Sequence, residues 1–214
     1  MFISFEGGDG SGKTTQAAAV ERRLREAGVP VLLVQEPGST GLGMHLRDWL
    51  KRDMSTVPMA ELLLFEAARA QLVAEVVRPA LAAGRTVIAD RFIDSTLAYQ
   101  GYGRGLDLSL IRTLNDAATG GLTPDLTVLL DVEAGDAIGR VAARAADSGR
   151  RKFEDLPIDF HQRVVAGFKE LAALGDQRWL VLNGARSESA IADDVWAAVT
   201  ARLRTGARGQ RPGG

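Results

Sequence analysis

The most informative stretch of this sequence reads Phe2-Ile3-Ser4-Phe5-Glu6-Gly7-Gly8-Asp9-Gly10-Ser11-Gly12-Lys13-Thr14. From Gly7 onward it matches G-x-x-x-x-G-K-T, a phosphate-binding loop whose glycines let backbone N–H groups converge on phosphate oxygens. Lys13 supplies a positive charge near the β- and γ-phosphates, and the Thr14 hydroxyl is a ligand for Mg²⁺ in such loops. A helix should begin behind the loop and direct its positive end at the phosphates. The stretch predicts a nucleoside triphosphate site; a flexible glycine-rich turn is the less specific alternative.

The composition is that of an ordinary folded domain. The 214 residues are 46% hydrophobic, carry a net charge of -1 and include no cysteine. This length and apolar content favour one α/β domain, and the small net charge argues against a dedicated duplex-binding protein while leaving local basic clusters possible. The lack of cysteine excludes a disulfide framework and a thiolate metal site. His45 and His161 are isolated in the sequence, so we expect both on helix surfaces rather than at a metal.

The sequence carries no sign of export or membrane insertion. It shows no charged leader with a small-residue cleavage site, and no apolar run approaches the length that spans a bilayer. We therefore expect a cytoplasmic enzyme without membrane contact.

Apolar runs alternate with helical patterns along the chain. Helical spacing predicts one helix over Thr14 to Ala27 and a longer one over Met59 to Ala83, with a kink before Pro79. Strands that alternate with helices form right-handed βαβ units, and hence a parallel sheet covered on both faces. The prediction is a three-layer α/β fold, a five-stranded parallel sheet flanked by helices. The runs that read as buried strands are Phe2 to Glu6, Val31 to Gln35, Thr86 to Asp90, Leu126 to Asp131 and Trp179 to Leu182.

Composition also suggests how the chain is divided. No linker or internal repeat interrupts residues 1–203, which we take as one domain. Residues 204–214 are rich in glycine and arginine and have the composition of a disordered tail. Contact of these arginines with nucleic acid or another acidic partner is the less favoured interpretation.

Polar residues follow two of the predicted strands. Asp90 ends the third strand, where a carboxylate can hold Mg²⁺ directly or through water, and the adjacent Arg91 can clamp a phosphate. The second strand is followed by the turn Glu36-Pro37-Gly38-Ser39-Thr40-Gly41, and then by a helical stretch that contains Arg47. Ligands of parallel sheets bind beyond the carboxyl ends of the strands, so we expect these side chains beside the phosphate loop.

Phe65 and Arg69 are four residues apart on the long predicted helix and so project from the same face. The ring could stack on a planar base while the guanidinium binds a carbonyl oxygen of that base. Considered alone, Phe65 would be a core residue and Arg69 a surface residue. The other motifs favour the functional interpretation.

A cluster of basic residues predicts a lid over about 140–154. Arg140, Arg144, Arg150, Arg151 and Lys152 flank the small and polar segment 145–149. Arginines on a closing segment could neutralise charge on a transferring phosphoryl group and exclude water. The alternative is a solvated basic loop.

The motifs occur together in a combination that resembles one known family, the bacterial thymidylate kinases, which are P-loop nucleoside monophosphate kinases. The similarity runs from about Phe2 to Arg202, and the Phe-x-x-x-Arg and Asp-Arg-Phe segments separate this family from generic P-loop proteins. The matching segments are Phe5-Glu6-Gly7-Gly8-Asp9-Gly10-Ser11-Gly12-Lys13-Thr14-Thr15-Gln16, Glu36-Pro37-Gly38-Ser39-Thr40, Phe65-Glu66-Ala67-Ala68-Arg69, Asp90-Arg91-Phe92 with Asp94-Ser95-Thr96, and Ala98-Tyr99-Gln100-Gly101.

The resemblance implies a P-loop NTPase fold and the phosphorylation of dTMP to dTDP by ATP with Mg²⁺, through direct in-line transfer. It also implies a homodimer formed through helices. The apolar stretches of Met59 to Ala83 could supply the face, although burial in the monomer core explains them equally well. ATP would lie on Gly7 to Thr14, with Mg²⁺ at Thr14 and Asp90. The adenine would lie near Asn183, Gly184, Ala185 and Arg186.

The resemblance further implies a thymidylate site beside the ATP site. Asp9 would approach the sugar hydroxyl, and Arg47 and Arg91 would hold the acceptor phosphate. Tyr99 would crowd the 2′ position and so favour a deoxyribose. The residues implied to contact thymidylate also include Glu36, Phe65, Arg69, Thr96 and Gln100.

Two segments depart from the family pattern. Ser39 stands where the family often has glycine, which restricts the backbone slightly. The lid reads Arg151-Lys152-Phe153-Glu154 where Asp-Arg-Phe-Glu is common. The phosphate loop has no arginine before Lys13, so we expect the lid to supply the catalytic positive charge, alongside Lys13 and Arg91. Arg144 and Arg151 are the leading candidates, and Arg150 is the third.

Two other functions stay open on the sequence. A kinase for another nucleoside monophosphate, or for a nucleoside, would use the same loop with a different base pocket. A P-loop regulatory or motor ATPase would bind a partner and have no small acceptor. It would leave the Phe65 and Arg69 pair, Asp90-Arg91 and the arginine-rich lid without a role.

Overall fold

The fold is built on one parallel sheet. The computed structural model describes residues 1–51, 56–148, 156–175 and 177–208. Its five strands run in the order β2-β3-β1-β4-β5, with every neighbouring pair parallel. The fold prediction is confirmed, and only the fifth strand is longer than expected, by one residue. The strands are β1 Phe2–Glu6, β2 Val31–Gln35, β3 Thr86–Asp90, β4 Leu126–Asp131 and β5 Trp179–Asn183.

Helices cover both faces of the sheet. They are α1 Lys13–Glu26, α2 Gly41–Lys51, α3 Pro58–Leu72, α4 Arg78–Ala82, α5 Ile93–Thr96, α6 Leu108–Thr119, α7 Ala134–Ser148, α8 Ile158–Leu174 and α9 Glu188–Arg208. Two π-helical segments, π1 Val73–Val77 and π2 Leu97–Gly103, continue α3 and α5. In the described part of the chain no helix is long and apolar enough to cross a membrane.

The two faces of the sheet have separate cores. On one face, apolar residues of β1 and β4 pack with Val20 and Leu24 of α1 and Val195 of α9. On the other face, α8 and π2 pack beneath β4, while π1 packs against β1 and β3. Side chains alternate along a strand, so Ile3 and Phe5 belong to the first core and Phe2 to the second. The three predicted layers are therefore α1 with α9, the sheet, and the helices of the second face.

The register of the sheet brings polar residues to one edge. Asp90 pairs with Phe5 on one side and with Gln35 on the other. Glu6 follows Phe5 directly, and α1 begins at the end of the loop that follows Glu6. The carboxyl ends of β1, β2 and β3 therefore meet where the phosphate loop begins.

Several expectations differ from the structure. The long helix predicted over Met59 to Ala83 is interrupted by π1, which directly precedes Arg78 and Pro79. His161 is buried rather than on a helix surface, and it lines a small cavity together with the phosphate loop residues Gly8 and Asp9. The last helix continues to Arg208, so 204–208, expected in a disordered tail, are helical; residues 209–214 lie outside the described ranges.

Candidate functional site

The phosphate loop leads from β1 into α1 with a tightly packed backbone. Gly10 has a φ of 81°, and a Cβ added there would lie 2.3 Å from the Ala137 carbonyl oxygen, so no larger residue fits. The Lys13 amine donates to the Gly8 carbonyl oxygen at 3.1 Å. Burial, reinforced by Arg91, lowers the pKa of Lys13 to about 8. Asp9 Oδ1 lies 3.9 Å from the amine and opposes this shift without overcoming it, and a bound phosphate would add negative charge that favours the protonated amine.

Asp90 and Thr14 lie side by side at the end of β3. The Thr14 hydroxyl donates to Asp90 Oδ2 at 2.7 Å, and the Gln35 side-chain amide donates to the same oxygen at 3.0 Å. Asp90 Oδ1 is buried and accepts no hydrogen bond in the described structure. A buried carboxylate oxygen without a donor is suited to a hard cation or to water bound to one. The structure thus brings together the two residues expected at Mg²⁺.

Arg91 connects the phosphate loop with π2. Its Nη1 donates to the Gly7 carbonyl oxygen and to Ser95 Oγ, both at 3.1 Å. Its Nη2 donates to Asp9 Oδ1 at 2.6 Å and to the Tyr99 hydroxyl at 3.1 Å. The backbone φ of Arg91 is 75°, a left-handed conformation that non-glycine residues seldom adopt and that the surrounding contacts must stabilise.

Asp9 shares these contacts. The Tyr99 hydroxyl donates to Asp9 Oδ2 at 2.8 Å while Arg91 binds the other oxygen. Burial alone would raise the pKa of Asp9, but Arg91 and Lys13 outweigh it and hold the pKa well below its usual range. Burial raises the pKa of Tyr99 far above its usual value. Asp9 therefore stays ionised and Tyr99 stays a hydrogen-bond donor at neutral pH.

Two cavities meet at Arg91. The polar cavity, of about 110 Å³, includes the cations Lys13, Arg47 and Arg91 together with Thr14 and Asp90. The apolar cavity, of about 90 Å³, also includes Arg91. Both contain Glu36, Pro37 and Leu50, so the two form one continuous cleft. The other residues of the apolar cavity are Phe65, Arg69, Ser95, Thr96, Tyr99 and Gln100.

Arg69 lies in the wall of the apolar cavity but is buried, so the alternative of a surface residue is wrong. Its Nε donates to Glu36 Oε2 at 2.9 Å, and its Nη1 donates to Glu66 Oε1 at 2.9 Å and to Asn115 Oδ1 at 2.6 Å. Its Nη2 donates to the Phe92 carbonyl oxygen at 3.2 Å and also lies 2.9 Å from Glu36 Oε2. Each N–H of the guanidinium faces a protein acceptor. A base carbonyl would have to share an N–H with one of them.

Burial raises the pKa of Glu36 and of Glu66, and the nearby Arg69 opposes this effect. The same two carboxylates outweigh the effect of burial on Arg69 and raise its pKa. One oxygen of each carboxyl group, Glu36 Oε1 and Glu66 Oε2, is buried without a hydrogen-bond partner in the described structure. The positive charge of Arg69 therefore stabilises the two carboxylates in their buried positions.

The turn after β5 lies beside the phosphate loop, at the place expected for the adenine. A Cβ on Gly184 would lie 3.4 Å from the Ser11 carbonyl oxygen. Asn183 Oδ1 accepts from the Ala185 N–H at 2.8 Å, and Arg186 donates to Asp194 at 2.6 Å. Arg140 reaches this turn from α7 and donates to the Gly184 carbonyl oxygen at 3.0 Å.

The arginines expected to serve as the catalytic lid residue belong to α7 and to the segment that follows it. Arg144 lies on α7, and the candidates Arg150 and Arg151 lie outside the described residues, as do 149–154 of the expected lid.

Sequence reasoning missed the role of Glu6. Its Oε1 accepts from the Phe92 N–H at 2.8 Å and its Oε2 accepts from the Ser95 hydroxyl at 2.6 Å. Glu6 thus ties the end of β1 to the segment that carries Arg91. Burial and the nearby Asp94 raise the pKa of Glu6 to about 8, despite the opposing effects of Ser95 and Arg91. A glutamate that ends an otherwise uncharged strand was the available signal.

Other residues missed by the sequence surround Arg69 and Gln100. Glu66 and Asn115 bind Arg69, and Glu61 binds both Gln100 and Arg104. Glu66 could have been found, because it lies three residues before Arg69 on the same helix. Asn115 and Arg104 have no such local signal.

Comparisons with known proteins agree with this geometry. Residues 5–195 match the family model described as Thymidylate kinase. The protein named thymidylate kinase from Synechococcus sp. strain JA-2-3B'a(2-13) is 48% identical over 212 residues, which cover 99% of this chain and 100% of that protein. The one from Deinococcus radiodurans is 48% identical over 203 residues, 94% of this chain and 97% of that protein.

A solved structure is similar as well. The crystal structure of thymidylate kinase from Ehrlichia chaffeensis superposes with a TM-score of 0.76 at 36% sequence identity, and covers 93% of this chain and 98% of that one. The chain belongs to the thymidylate kinase family.

Proposed function

We propose that this protein transfers the γ-phosphoryl group of ATP to dTMP, producing ADP and dTDP. The observation that carries the proposal is the continuous cleft in which Arg91 borders both the polar and the apolar cavity. A phosphate held in the polar cavity and a base held in the apolar cavity would belong to one acceptor nucleotide. The names of the relatives support the choice of thymidylate as that acceptor.

The donor nucleotide would occupy the phosphate loop. The backbone N–H groups of the loop and the start of α1 suit the β- and γ-phosphates, and Lys13 adds a buried positive charge. The adenine would lie against the turn at Asn183 to Arg186, which borders the loop at Ser11. In this arrangement Gly7 to Thr14 bind only the phosphate part of ATP.

The acceptor would lie across the cleft. Its base would stack on Phe65 in the apolar cavity. The cavity is also lined by Thr96, Tyr99, Gln100, Arg69 and Glu36. Arg47 and Arg91 would hold its phosphate, since both border the polar cavity. Asp9 would accept a hydrogen bond from a sugar hydroxyl, and Tyr99 would restrict the space at the 2′ position.

The residues present fit Mg²⁺ bound together with ATP. The unpaired Asp90 Oδ1 and the Thr14 hydroxyl are the ligands that the chain would offer, directly or through water. Among the described residues no cluster of three or more acidic or histidine side chains could hold a metal, which suits an ion bound mainly by phosphate oxygens. When bound, Mg²⁺ supplies positive charge that neutralises the transferring phosphate.

The reaction would need alignment and charge rather than acid or base catalysis. An anionic oxygen of the dTMP phosphate would attack the γ-phosphorus in line as the bond to the β,γ-bridging oxygen breaks, and ADP would leave with that oxygen. Lys13 and Arg91 would hold the two phosphates at reacting distance and stabilise the charge between them. A lid arginine, with Arg144 and Arg151 as candidates, would complete this charge and exclude water.

We also propose that the protein is a homodimer of cytoplasmic location, where its two nucleotide substrates are available. Apolar side chains exposed on α2, α3 and the segment before α3 support a helical dimer interface. Light scattering on the purified protein checks this, with an expected mass of twice the 22.8 kDa of one chain. The exposed side chains are Leu42, Met44, Val57, Met59, Leu63 and Leu64.

The test of the proposed function is the substitution Lys13→Ala. We expect dTDP formation from ATP and dTMP to fall by roughly 10²-fold or more, because a charge that stabilises the transferring phosphate is removed. Lys169→Ala is the control, since Lys169 is a half-exposed lysine that pairs with Glu133 outside the cleft, and we expect it to leave the rate unchanged. Unchanged turnover in the Lys13 variant would exclude the proposed role of the loop.

A further inference from the structure

The side chain of Gln100 is held in one orientation at the wall of the apolar cavity. It is 2% exposed, and its Nε2 donates to Glu61 Oε1 at 3.0 Å. An ionised carboxylate only accepts hydrogen bonds, so the Gln100 group that faces Glu61 must be the NH₂. The amide oxygen therefore faces away from Glu61. No hydrogen bond of the described structure occupies this oxygen, and Gln100 is one of the residues that line the apolar cavity. We take the oxygen to face that cavity.

Glu61 is fixed by a second residue. Arg104 donates from Nε to Glu61 Oε1 at 3.1 Å and from Nη2 to Glu61 Oε2 at 3.0 Å. The guanidinium of Arg104 also lies over the ring of Phe160, 5.0 Å from its centroid. Such a two-point contact fixes the plane of the carboxylate as well as its position. A reversed Gln100 amide would place its oxygen against this carboxylate, which is unfavourable in a buried setting.

The same face of α3 presents the other parts of the base pocket. Glu61, Phe65 and Arg69 follow one another at intervals of four residues and so lie along one side of the helix. Phe65 offers a ring for stacking, while the N–H groups of Arg69 already face protein acceptors. Gln100, which lies on π2, adds its oxygen as a hydrogen-bond acceptor to the lining of the cavity.

A pyrimidine base can be selected by such an acceptor. Thymine and uracil carry a proton on ring atom N3 and can donate it to the Gln100 oxygen. Cytosine has a lone pair at N3, which would face the lone pairs of the amide oxygen. A binding site discriminates strongly against a ligand that leaves one of its buried polar groups without a hydrogen bond.

We propose that Glu61, held by Arg104, is a positioning residue that turns the Gln100 amide oxygen toward the base and thereby selects acceptors with a proton on N3. The inference rests on the proposed function, because it assumes a pyrimidine nucleotide in the apolar cavity. It adds Glu61 and Arg104, which do not border the cleft, to the residues that determine base specificity.

The unsubstituted enzyme provides the first test, with dUMP and dCMP as a matched pair that differ only at ring positions 3 and 4. We expect kcat/KM for dUMP to exceed that for dCMP by roughly 10²-fold or more. Transfer to dTMP with equal kcat/KM for dUMP and dCMP would overturn this inference and leave the proposed function intact. Absence of transfer to dTMP would overturn both.

The second test is Glu61→Gln, which offers Gln100 both a donor and an acceptor and so lets its amide turn. We expect the dUMP to dCMP preference to fall at least tenfold, mainly through KM, with the KM for ATP unchanged. A loss of kcat that is equal for all acceptors, with the preference intact, would show a merely structural role and contradict the proposal. Arg104→Lys keeps the charge but loses the two-point contact, and we expect a smaller fall in the preference. If Glu61→Gln does not fold, the dUMP to dCMP preference of Arg104→Lys decides the proposal, and an unchanged preference in that variant would contradict it.

Arg163→Met is the matched control. Arg163 donates to the Gly103 carbonyl oxygen at 3.0 and 3.3 Å, at the end of the same π-helical segment. In the described structure no hydrogen bond or ion pair joins it to Glu61 or Gln100. We expect this variant to keep the full preference for dUMP over dCMP. An equal loss of preference in the control and in Glu61→Gln would mean that any weakening of this segment relaxes the pocket, and would contradict a specific role for Glu61.

Discussion

At the scale of single residues, the cleft is organised by acids that are buried or half-buried beside their partners. Asp9 is bound by Arg91 and Tyr99, and Glu36 is bound by Arg69. Glu6 differs because its hydrogen bonds come from neutral groups, and its pKa is raised to about 8. These differences predict how each site responds to pH and to substitution.

Glu6 should make the protein less stable as the pH rises. Its pKa is about 8 in the folded protein and 4.5 ordinarily, so the folded state binds the extra proton between these values. The contribution to stability is present in full below pH 4.5 and decreases as the pH rises toward 8, by up to about 1.4 kcal/mol per pH unit. In Glu6→Gln this contribution is absent, because the amide cannot ionise and can still bond Ser95 and Phe92.

Urea unfolding from pH 5 to 8 measures this effect as the difference between the two proteins. We expect the unsubstituted protein to lose stability relative to Glu6→Gln as the pH rises. The free energy of unfolding of Glu6→Gln minus that of the unsubstituted protein should therefore increase with pH. A difference that stays constant with pH would contradict a raised pKa for Glu6.

Arg69 should be far more important for stability than an exposed arginine. In Arg69→Met, Glu36 and Glu66 would keep their buried positions without a counter-charge, and we expect a loss of about 3–5 kcal/mol in the free energy of unfolding. The side chains of this cluster are only 2% (Arg69), 6% (Glu36) and 7% (Glu66) exposed. The KM for dTMP should rise more than the KM for ATP, because the cluster lies in the wall of the acceptor cavity and not at the phosphate loop.

The control for this prediction is Arg23→Met. Arg23 pairs with Asp193 at 2.7 Å, but the two side chains are 30% and 68% exposed, so we expect a loss of at most about 1 kcal/mol. Adding Glu66→Met to Arg69→Met should restore part of the stability, since it removes one of the two unpaired acids. Equal losses in the Arg69 and Arg23 variants would refute the account of this cluster.

The sequence identified most of the polar residues of the cleft but not how they are paired. The i, i+4 spacing placed Phe65 and Arg69 on one face, as the cavity has them. It could not show that Arg69 is buried, because its partners Glu36 and Asn115 lie 33 and 46 residues away along the chain. Contacts of this kind depend on how α3, α6 and β2 pack, which no local pattern reports.

At the scale of elements, α8 and π2 form the support of the acceptor cavity. Tyr99 packs edge-on against Phe160 and Phe168 of α8, with ring centroids 6.1 and 6.3 Å apart. A Cβ on Gly167 would lie 2.5 Å from Cγ and 2.7 Å from Cβ of Tyr102. The two elements are thus as close as a glycine allows.

Gly167→Ala should push α8 and π2 apart. We expect a net loss of about 1–3 kcal/mol in the free energy of unfolding, because overpacking outweighs the gain in helix propensity. The KM for dTMP should rise as well, since Tyr99 and Gln100 lie on π2. Denaturant unfolding and steady-state kinetics on the same sample measure the two effects.

Gly139→Ala is the control at this scale. Gly139 is exposed on α7 with no atom within 4 Å of an added Cβ, so we expect a gain of about 0.5–1 kcal/mol. If Gly167→Ala proves as harmless as Gly139→Ala, the close packing of α8 on π2 is not what fixes the cavity wall.

The elements themselves were largely predictable. The strand bounds agree with the sequence because buried parallel strands are short apolar runs bounded by helical spacing. The π-helical segments π1 and π2 were not predicted, because a π turn adds one residue per turn without changing composition. The helical state of 204–208 was also missed, since α9 continues through residues whose composition alone favours a coil.

At the scale of the whole molecule, the strand order explains why one cleft serves two nucleotides. The order β2-β3-β1-β4-β5 places the ends of β3 and β1 side by side, with β2 beyond them. Asp90, Arg91 and the phosphate loop therefore meet at the same edge, and α3 closes the acceptor side. The alternation of strands and helices predicted this edge, and the family comparison agrees with it.

The central claim is that this cleft transfers a phosphoryl group from ATP to dTMP. The most direct measurement incubates the purified protein with ATP and Mg²⁺ and, separately, dTMP, dUMP, dCMP, dGMP or thymidine, and quantifies ADP and the phosphorylated acceptor by anion-exchange chromatography. We predict that dTMP is the best acceptor and that one dTDP forms for each ADP. Slow release of ADP that no acceptor changes, or faster transfer to an acceptor other than dTMP, would contradict the account.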